Sequence, residues 1–239
     1  MILEEGEIDE PNKITTDIKA GDIFKLGNHR LMCGDSTNKE DVDRLIKGEN
    51  FRLGLTDPPY NLGYEYNSYK DNKTYDEYKD WCDKWFKIIK SNSEIQAITI
   101  GNQNLKLWFE IEPPKWVMCW NKPNGQSGCK LRGLNRWEPI MIYFEDKIDR
   151  IIPEDTYIIQ TGYLSDKNDG MNELHSCPKP IKLFSSIITD YTYEKDLILD
   201  LFGGLGTTLI AAEQLNRICY MMELDPIYCQ VIVNRWGKN

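Results

Sequence analysis

The run Leu197-Ile198-Leu199-Asp200-Leu201, followed at once by Phe202-Gly203-Gly204-Leu205-Gly206-Thr207-Thr208, limits what this chain can fold into more than any other stretch. A continuous apolar run closed by glycines reads as a strand buried on both faces, the state of a parallel strand between two layers of helices. Residues 209–215 then read as a helix and 218–222 as a second strand ending at Glu223; Asp225-Pro226 caps a last helix through Val231 to Trp236. Parallel neighbours need a crossover, so strand, glycine turn, helix and strand form one unit. Its glycines admit close approach of a ligand, and the helix N-terminus offers free N–H groups. Glu223, about twenty residues on, is placed to accept hydrogens from both hydroxyls of a ribose. The Gly203-to-Gly206 spacing lacks the full dinucleotide fingerprint, and no lysine follows at the phosphate-loop position, which disfavours a phosphate cradle.

A second strand-like run, 51–56, stops at Asp57-Pro58-Pro59-Tyr60. Prolines cannot continue a sheet ladder, so Asp57 and Tyr60 are presented at the strand's carboxyl end, where open α/β sheets bind ligands. A carboxylate, an oriented Pro58 carbonyl and a flat ring suit the gripping of a planar amine. If both oxygens accept an amino hydrogen, the nitrogen lone pair is freed to attack an electrophile, and Tyr60 can stack on a base taken out of its helix. A turn with a capping Asp is the plain alternative.

The 239 residues, 41% hydrophobic and 28% charged, fit one α/β domain with a full core. No apolar run approaches the ~20 residues of a membrane span. The acidic N-terminus lacks the basic, apolar pattern of a signal peptide, so a cytoplasmic protein is expected. Seven cysteines without a Cys-x-x-Cys pair, and only His29 and His175, give no support for a metal site. A formal charge of −9 argues against a nonspecific nucleic-acid coat, but Lys115, Lys122, Lys130, Arg132 and Arg136 form one basic stretch.

Elsewhere, residues 1–19 read as a loose acidic arm and 20–239 as the folded domain. Residues 22–33 read as a hairpin about Gly27-Asn28, and 38–47 as a helix capped by Thr37 or Asn38. Residues 61–72 read as a mobile loop and 75–89 as a helix with Tyr78, Trp81, Trp85 and Ile88 on one face. Strands are expected at 95–100, 115–120 and 138–145, with a short one at 156–161 and a short helix at 104–110. Another helix opens at Lys179-Pro180.

Together, Asp57-Pro58-Pro59-Tyr60 and the later Asp200-to-Thr208 motif resemble the amino-directed DNA methyltransferases that use S-adenosylmethionine, in the motif order of that family's beta group. His175-Ser176-Cys177-Pro178-Lys179-Pro180 is similar to the group's His-Pro-Thr-Gln-Lys-Pro signature, and residues 26–36 resemble small members from phages and mobile elements. The likeness spans about 20–236. It implies a single Rossmann-like, circularly permuted domain with a mixed, mostly parallel sheet and helices on both faces. The permuted order assigns the strand ending at Asp35 to the slot beyond the Glu223 strand, with Asp35 toward the cofactor's adenine. The implied S-adenosylmethionine contacts are Asp35, Asp57, His175, Lys179, Asp200, Phe202, Gly203, Gly204, Gly206, Thr207 and Glu223; the implied catalytic residues are Asp57, Pro58, Pro59 and Tyr60. Two departures stand out, Leu201 where the family has Pro and Leu205 where it has Ser or Thr.

The implied reaction is methylation of adenine N6 in double-stranded DNA. The alternatives are a cytosine-N4 enzyme and a catalytically silent DNA-binding or partner subunit. Only short loops, about 121–136 and 146–172, are left for base reading, with Lys122, Lys130, Arg132 and Arg136 as the expected DNA contacts. Such loops imply a short target site, or a homodimer whose second subunit supplies the missing surface.

Overall fold

In a computed structural model, the residues described here are 7–64, 68–123, 136–145, 158–160 and 179–238. They build a nine-stranded sheet from β1 (Ile23–Leu26), β2 (His29–Cys33), β3 (Phe51–Thr56), β4 (Ser93–Thr99), β5 (Trp116–Asn121), β6 (Trp137–Phe144), β7 (Ile158–Gln160), β8 (Leu197–Asp200) and β9 (Ile218–Glu223). Their spatial order is β1-β2-β9-β8-β3-β4-β6-β5-β7. β2, β9, β8, β3 and β4 run parallel, while β1 and β6 are reversed. The fold is thus the expected α/β, mostly parallel arrangement. β2 from the start of the chain lies beside β9 from its end, as the permuted order requires.

The helices are α1 (Lys39–Ile46), α2 (Tyr75–Asn92), α3 (Leu105–Ile111), α4 (Ile181–Tyr191), α5 (Thr207–Gln214) and α6 (Pro226–Gly237). They bury two separate cores, one on each face of the sheet. Leu183, Ile187, Leu209, Ala212 and Ile232 of α4, α5 and α6 meet one face; Val42, Leu45, Trp85, Phe86 and Trp108 of α1, α2 and α3 meet the other. No helix among the described residues is long and apolar enough to cross a membrane.

Local chemistry sets the helix ends. Asn38 caps α1 by accepting from the Glu40 N–H, and Asp225 caps α6 by accepting from Ile227, with Pro226 in the first turn. A Thr74–Glu77 capping box opens α2, which runs three residues past its expected end. Its buried stripe is Tyr78, Cys82, Trp85, Phe86 and Ile89; Trp81 and Ile88, expected on that face, are only half-buried.

Two segments expected to be loose make specific side-chain contacts where described. Asp71, 2% exposed, accepts from the N–H groups of Asn61, Leu62 and Tyr64 at 2.9, 2.9 and 3.2 Å, which ties the 61–72 loop to one buried carboxylate. Of the 1–19 arm, Asp9 accepts from Asn234 at 2.7 Å and pairs with Lys238 at 2.6 Å, while Thr16 donates to Gln230 at 3.0 Å. Residues 7–19 are therefore laid along α6.

α2 comes unusually close to β3 at Gly54, where an added Cβ would lie 2.7 Å from both Ile89 Cγ1 and Ser93 Oγ. Gly54→Ala should therefore cost about 1–3 kcal/mol through overpacking, read as a lowered denaturant midpoint with unchanged slope. An unchanged midpoint would mean that α2 withdraws freely.

Candidate active site at the carboxyl edge of the sheet

Because β2, β9, β8, β3 and β4 are parallel, they all end at one edge, and the segments leaving them meet there. The two sequence motifs are joined directly, since the Thr56 hydroxyl at the end of β3 donates to Asp200 Oδ1 at the end of β8, 2.8 Å away. Asp200 also accepts from the Phe202 N–H at 3.0 Å and is 1% exposed. Burial pushes its carboxyl up to about 6. Asp200 thus braces the start of the glycine turn from the end of β8.

The turn after β8 is shaped by close approach. Gly203 donates to the Met222 carbonyl at 2.8 Å, and a Cβ there would meet the Met221 side chain at 2.8 Å. Gly206 takes φ +81° as it opens α5. Glu223 closes the turn from β9: Oε2 accepts from the Gly204 N–H at 2.7 Å and Oε1 from the Asp225 N–H at 2.8 Å. Each oxygen keeps a lone pair for a further donor. Burial pushes this carboxyl up to about 7 in spite of the two amides. Phe202 is half-buried against Trp81 and Trp85, with ring centroids 5.4 and 5.1 Å away.

Asp35 follows β2 and is exposed. Its Oδ1 accepts from the N–H and the hydroxyl of Thr37, both at 2.8 Å, so it shapes the turn into α1 without capping it. Ser68 reaches across from the Asp71 loop and donates to Asp225 at 2.9 Å. Among the described residues no lysine or arginine is paired with Asp35, Glu223 or Asp225. An edge of this charge repels phosphate and suits a neutral or cationic nucleoside.

At the β3 end, Asp57 is surrounded by donors. Oδ1 accepts from the Tyr60 hydroxyl at 2.9 Å and from the Thr99 hydroxyl; Oδ2 pairs with Lys179 Nζ at 3.0 Å. Lys179 sits just before α4, is 5% exposed, and holds its ammonium 4.7 Å from the centre of the Tyr60 ring. Tyr60 is 8% exposed, and burial pushes its phenol well above the ordinary range, so it acts as a neutral donor. The carbonyls of Pro59 and Tyr60 are taken by Tyr78 (2.7 Å) and Asn104 (2.8 Å). Among the described residues nothing is hydrogen-bonded to the Pro58 carbonyl.

The structure therefore gathers Asp35, Asp57, Pro58, Pro59, Tyr60, Phe202, Gly203, Gly204, Gly206 and Glu223 at one edge. Lys179, expected on the cofactor, is placed on the Asp57 carboxylate. Thr207, 9% exposed, lies against buried Arg235, which reaches its Oγ1 at 3.5 Å and donates to the Leu205 carbonyl at 2.8 Å. Lys122 is a correction among the expected DNA contacts: it is 2% exposed, beneath the surface, ion-paired with Glu138 of β6. The basic stretch is divided as well, since Lys115 precedes β5 and Lys122 follows it, roughly 20 Å apart at opposite edges. Arg136 is exposed at the start of β6; Lys130, Arg132 and His175 lie outside the described residues. Sequence reasoning missed Thr99, Glu138, Asn104 and Arg235. Glu138 had one signal, a charged residue heading an otherwise apolar strand.

Comparison with known proteins gives the same picture. The chain is 24% identical over 242 residues to the Type II methyltransferase M.HpaI of Haemophilus parainfluenzae, covering 87% of this chain and 74% of that one. Its fold matches the cytosine-N4-specific PvuII DNA methyltransferase at TM-score 0.66 and 18% identity, over 88% of this chain and 87% of the other. The crystal structure of the M1.HpyAVI-SAM complex matches at TM-score 0.62 and 19% identity, over 86% and 97%. The family model described as DNA methylase, covering N6 and N4 enzymes, fits residues 51–234, and the chain accordingly belongs to the N6/N4 DNA methylase family.

Proposed function

We propose that this protein transfers a methyl group from S-adenosylmethionine to the N6 amino group of adenine in double-stranded DNA. The observation that carries the reading is the Asp57 carboxylate next to a Pro58 carbonyl with no donor among the described residues, at the edge where the glycine turn also opens. Aspartate at the head of the tetrapeptide favours adenine, by the family resemblance.

The residues present fit the cofactor. Glu223 is free to accept from a ribose diol, the exposed Asp35 from an adenine amino group, and the turn at Gly203, Gly204 and Gly206 allows close approach. The unpaired carboxylates favour a cationic ligand. Bound there, S-adenosylmethionine supplies an electrophilic methyl group. The chain's own part is to make a poor nucleophile attack. Asp57 and the Pro58 carbonyl each accept one amino hydrogen, which localises the nitrogen lone pair and stabilises the positive charge that grows on nitrogen. Lys179 and Thr99 hold the carboxylate in place for this, and Tyr60 lines the pocket of the extruded base.

Labelled methyl transfer to DNA, followed by digestion to nucleosides, should yield N6-methyladenine; N4-methylcytosine would overturn the adenine assignment, and an unlabelled digest the enzymatic one. Asp57→Ala should lower turnover by about 100- to 1000-fold and leave cofactor affinity unchanged, because its acceptor role belongs to the transition state.

Glu223→Ala should weaken cofactor binding by about 10- to 100-fold, the range of hydrogen bonds to a charged group. Glu223 titrates at about 7, and only its ionised form accepts from both hydroxyls. Cofactor affinity should therefore rise with pH between about 6 and 8, a dependence seen by calorimetry and flattened in Glu223→Ala.

DNA contacts are proposed for Lys130, Arg132 and Arg136, in the stretch of sequence between β5 and β6. Arg132→Ala and Arg136→Ala should each weaken DNA binding and reduce its salt slope by about 1, with cofactor affinity unchanged. Parental affinity and slope in both variants would place the recognition surface elsewhere.

A further inference from the structure

Three donors hold the Asp57 carboxylate before any substrate arrives. A carboxylate oxygen has two lone pairs, and both on Oδ1 are taken by the hydroxyls of Tyr60 and Thr99. Lys179 occupies one on Oδ2. A target amino group that is to bond to Oδ1 must displace one hydroxyl, and a displaced hydroxyl in so buried a place needs another acceptor.

Thr99 has only the neutral Thr56 carbonyl, 3.5 Å away, whereas Tyr60 has a second carboxylate, the stronger acceptor. Glu138 Oε2 is 3.4 Å from the Tyr60 oxygen, against 2.9 Å for Asp57 Oδ1, so a ring pivot of well under an ångström completes a normal hydrogen bond. The Tyr60 backbone cannot follow, because Asn104 holds its carbonyl and Tyr78 that of Pro59. Glu138 is itself buried and bound through Oε1 to Lys122, which leaves Oε2 toward Tyr60. A buried carboxylate requires such a counter-charge. Trp120 and Glu138 are cross-strand partners in β5 and β6, and Lys122, one residue past β5, lies over the Trp120 ring at 4.9 Å. The pair is thus fixed to the sheet while Tyr60 is fixed only at its backbone.

We infer that Glu138, held by Lys122, is the alternate acceptor for the Tyr60 hydroxyl and a positioning residue that frees Asp57 to take the amino group of the target base. The Tyr60 proton serves one carboxylate at a time: Asp57 when the site is empty, Glu138 when a base is bound. The inference rests on methyl transfer at Asp57. That reading fails if the parental protein transfers no methyl group, whereas this one fails on ratios between variants and parent.

The test is a double-mutant cycle read by single-turnover methyl transfer at saturating DNA and cofactor. Replacing Glu138 alone takes the carboxylate from a buried Lys122, so the pair is exchanged together as Lys122→Met with Glu138→Leu, an apolar swap that buried ion pairs generally tolerate. The transfer rate should fall by about tenfold or more, with KM for DNA and cofactor affinity little changed. Lys122→Met with Glu138→Gln, whose amide oxygen still accepts, should recover most of the rate. In a Tyr60→Phe background, where no hydroxyl needs rehousing, the Met/Leu exchange should have no further effect. An equal loss in the Tyr60→Phe background, no rescue by glutamine, or no loss in the Tyr60 protein would each overturn the assignment.

Discussion

The Thr56 hydroxyl bonded to Asp200 joins the last residue of the strand that delivers Asp57 to the last residue of the strand that delivers the glycine turn. The two motifs are more than a hundred residues apart in sequence, yet β3 and β8 pair directly, so one buried hydrogen bond fixes their relative height at the sheet edge. Methyl transfer to an amine needs that fixed height, because donor and acceptor atoms must be held near contact and in line. Gly54, one strand turn earlier, lets α2 press on β3 from behind. The edge is thus set by packing below it as much as by bonds along it.

Four carboxylates near this edge meet the cost of burial in different ways, and the differences match their roles. Asp200, with only neutral donors, is pushed up to about 6 and serves as a brace. Glu223, on two backbone amides, is pushed up to about 7, poised to change charge when hydroxyls or a cation arrive. Asp57 has an ammonium and two hydroxyls, and Glu138 has Lys122. The two carboxylates within reach of the Tyr60 hydroxyl carry cationic partners, and those assigned to shape or to ligand capture do not. A chain with a net charge of −9 places its scarce buried lysines, Lys122 and Lys179, on the two carboxylates that share the Tyr60 hydroxyl.

Much of this could be read from local chemistry. The ends of β3 and β8 were legible because proline and glycine stop strands for reasons contained in one or two residues, and the cap of α6 because Asp225-Pro226 is self-sufficient. Lys122 was misread because charge counted along the sequence cannot see Glu138, which antiparallel pairing of β5 with β6 brings opposite Trp120. The bonding inside the 61–72 loop was not legible for a similar reason. Its polar, aperiodic composition is that of a mobile segment, but Asp71 collects three amides of the same loop, an arrangement no periodicity reveals. Lys179 was recognised by motif, but its pairing with Asp57 was not, since it depends on the segment before α4 returning to the end of β3.

Permutation also has a mechanical consequence. In an unbroken order the strand beyond β9 would follow it along the chain; here it is β2, and its attachment depends on contacts between the chain's two ends. α6 supplies them. Its Arg235 is buried and donates to the Leu205 carbonyl, so the glycine turn is shaped from the far helix. The outer side of the same helix is clasped by residues 7–19 through Asp9 and Thr16. Leu205, the departure from the family pattern, is buried and sends no polar group toward the site. At that point the backbone is held instead by Arg235, which donates to the Leu205 carbonyl. The glycine turn at the end of β8 is therefore braced by a helix that follows the next strand, and that helix is itself packed on its outer side by residues 7–19.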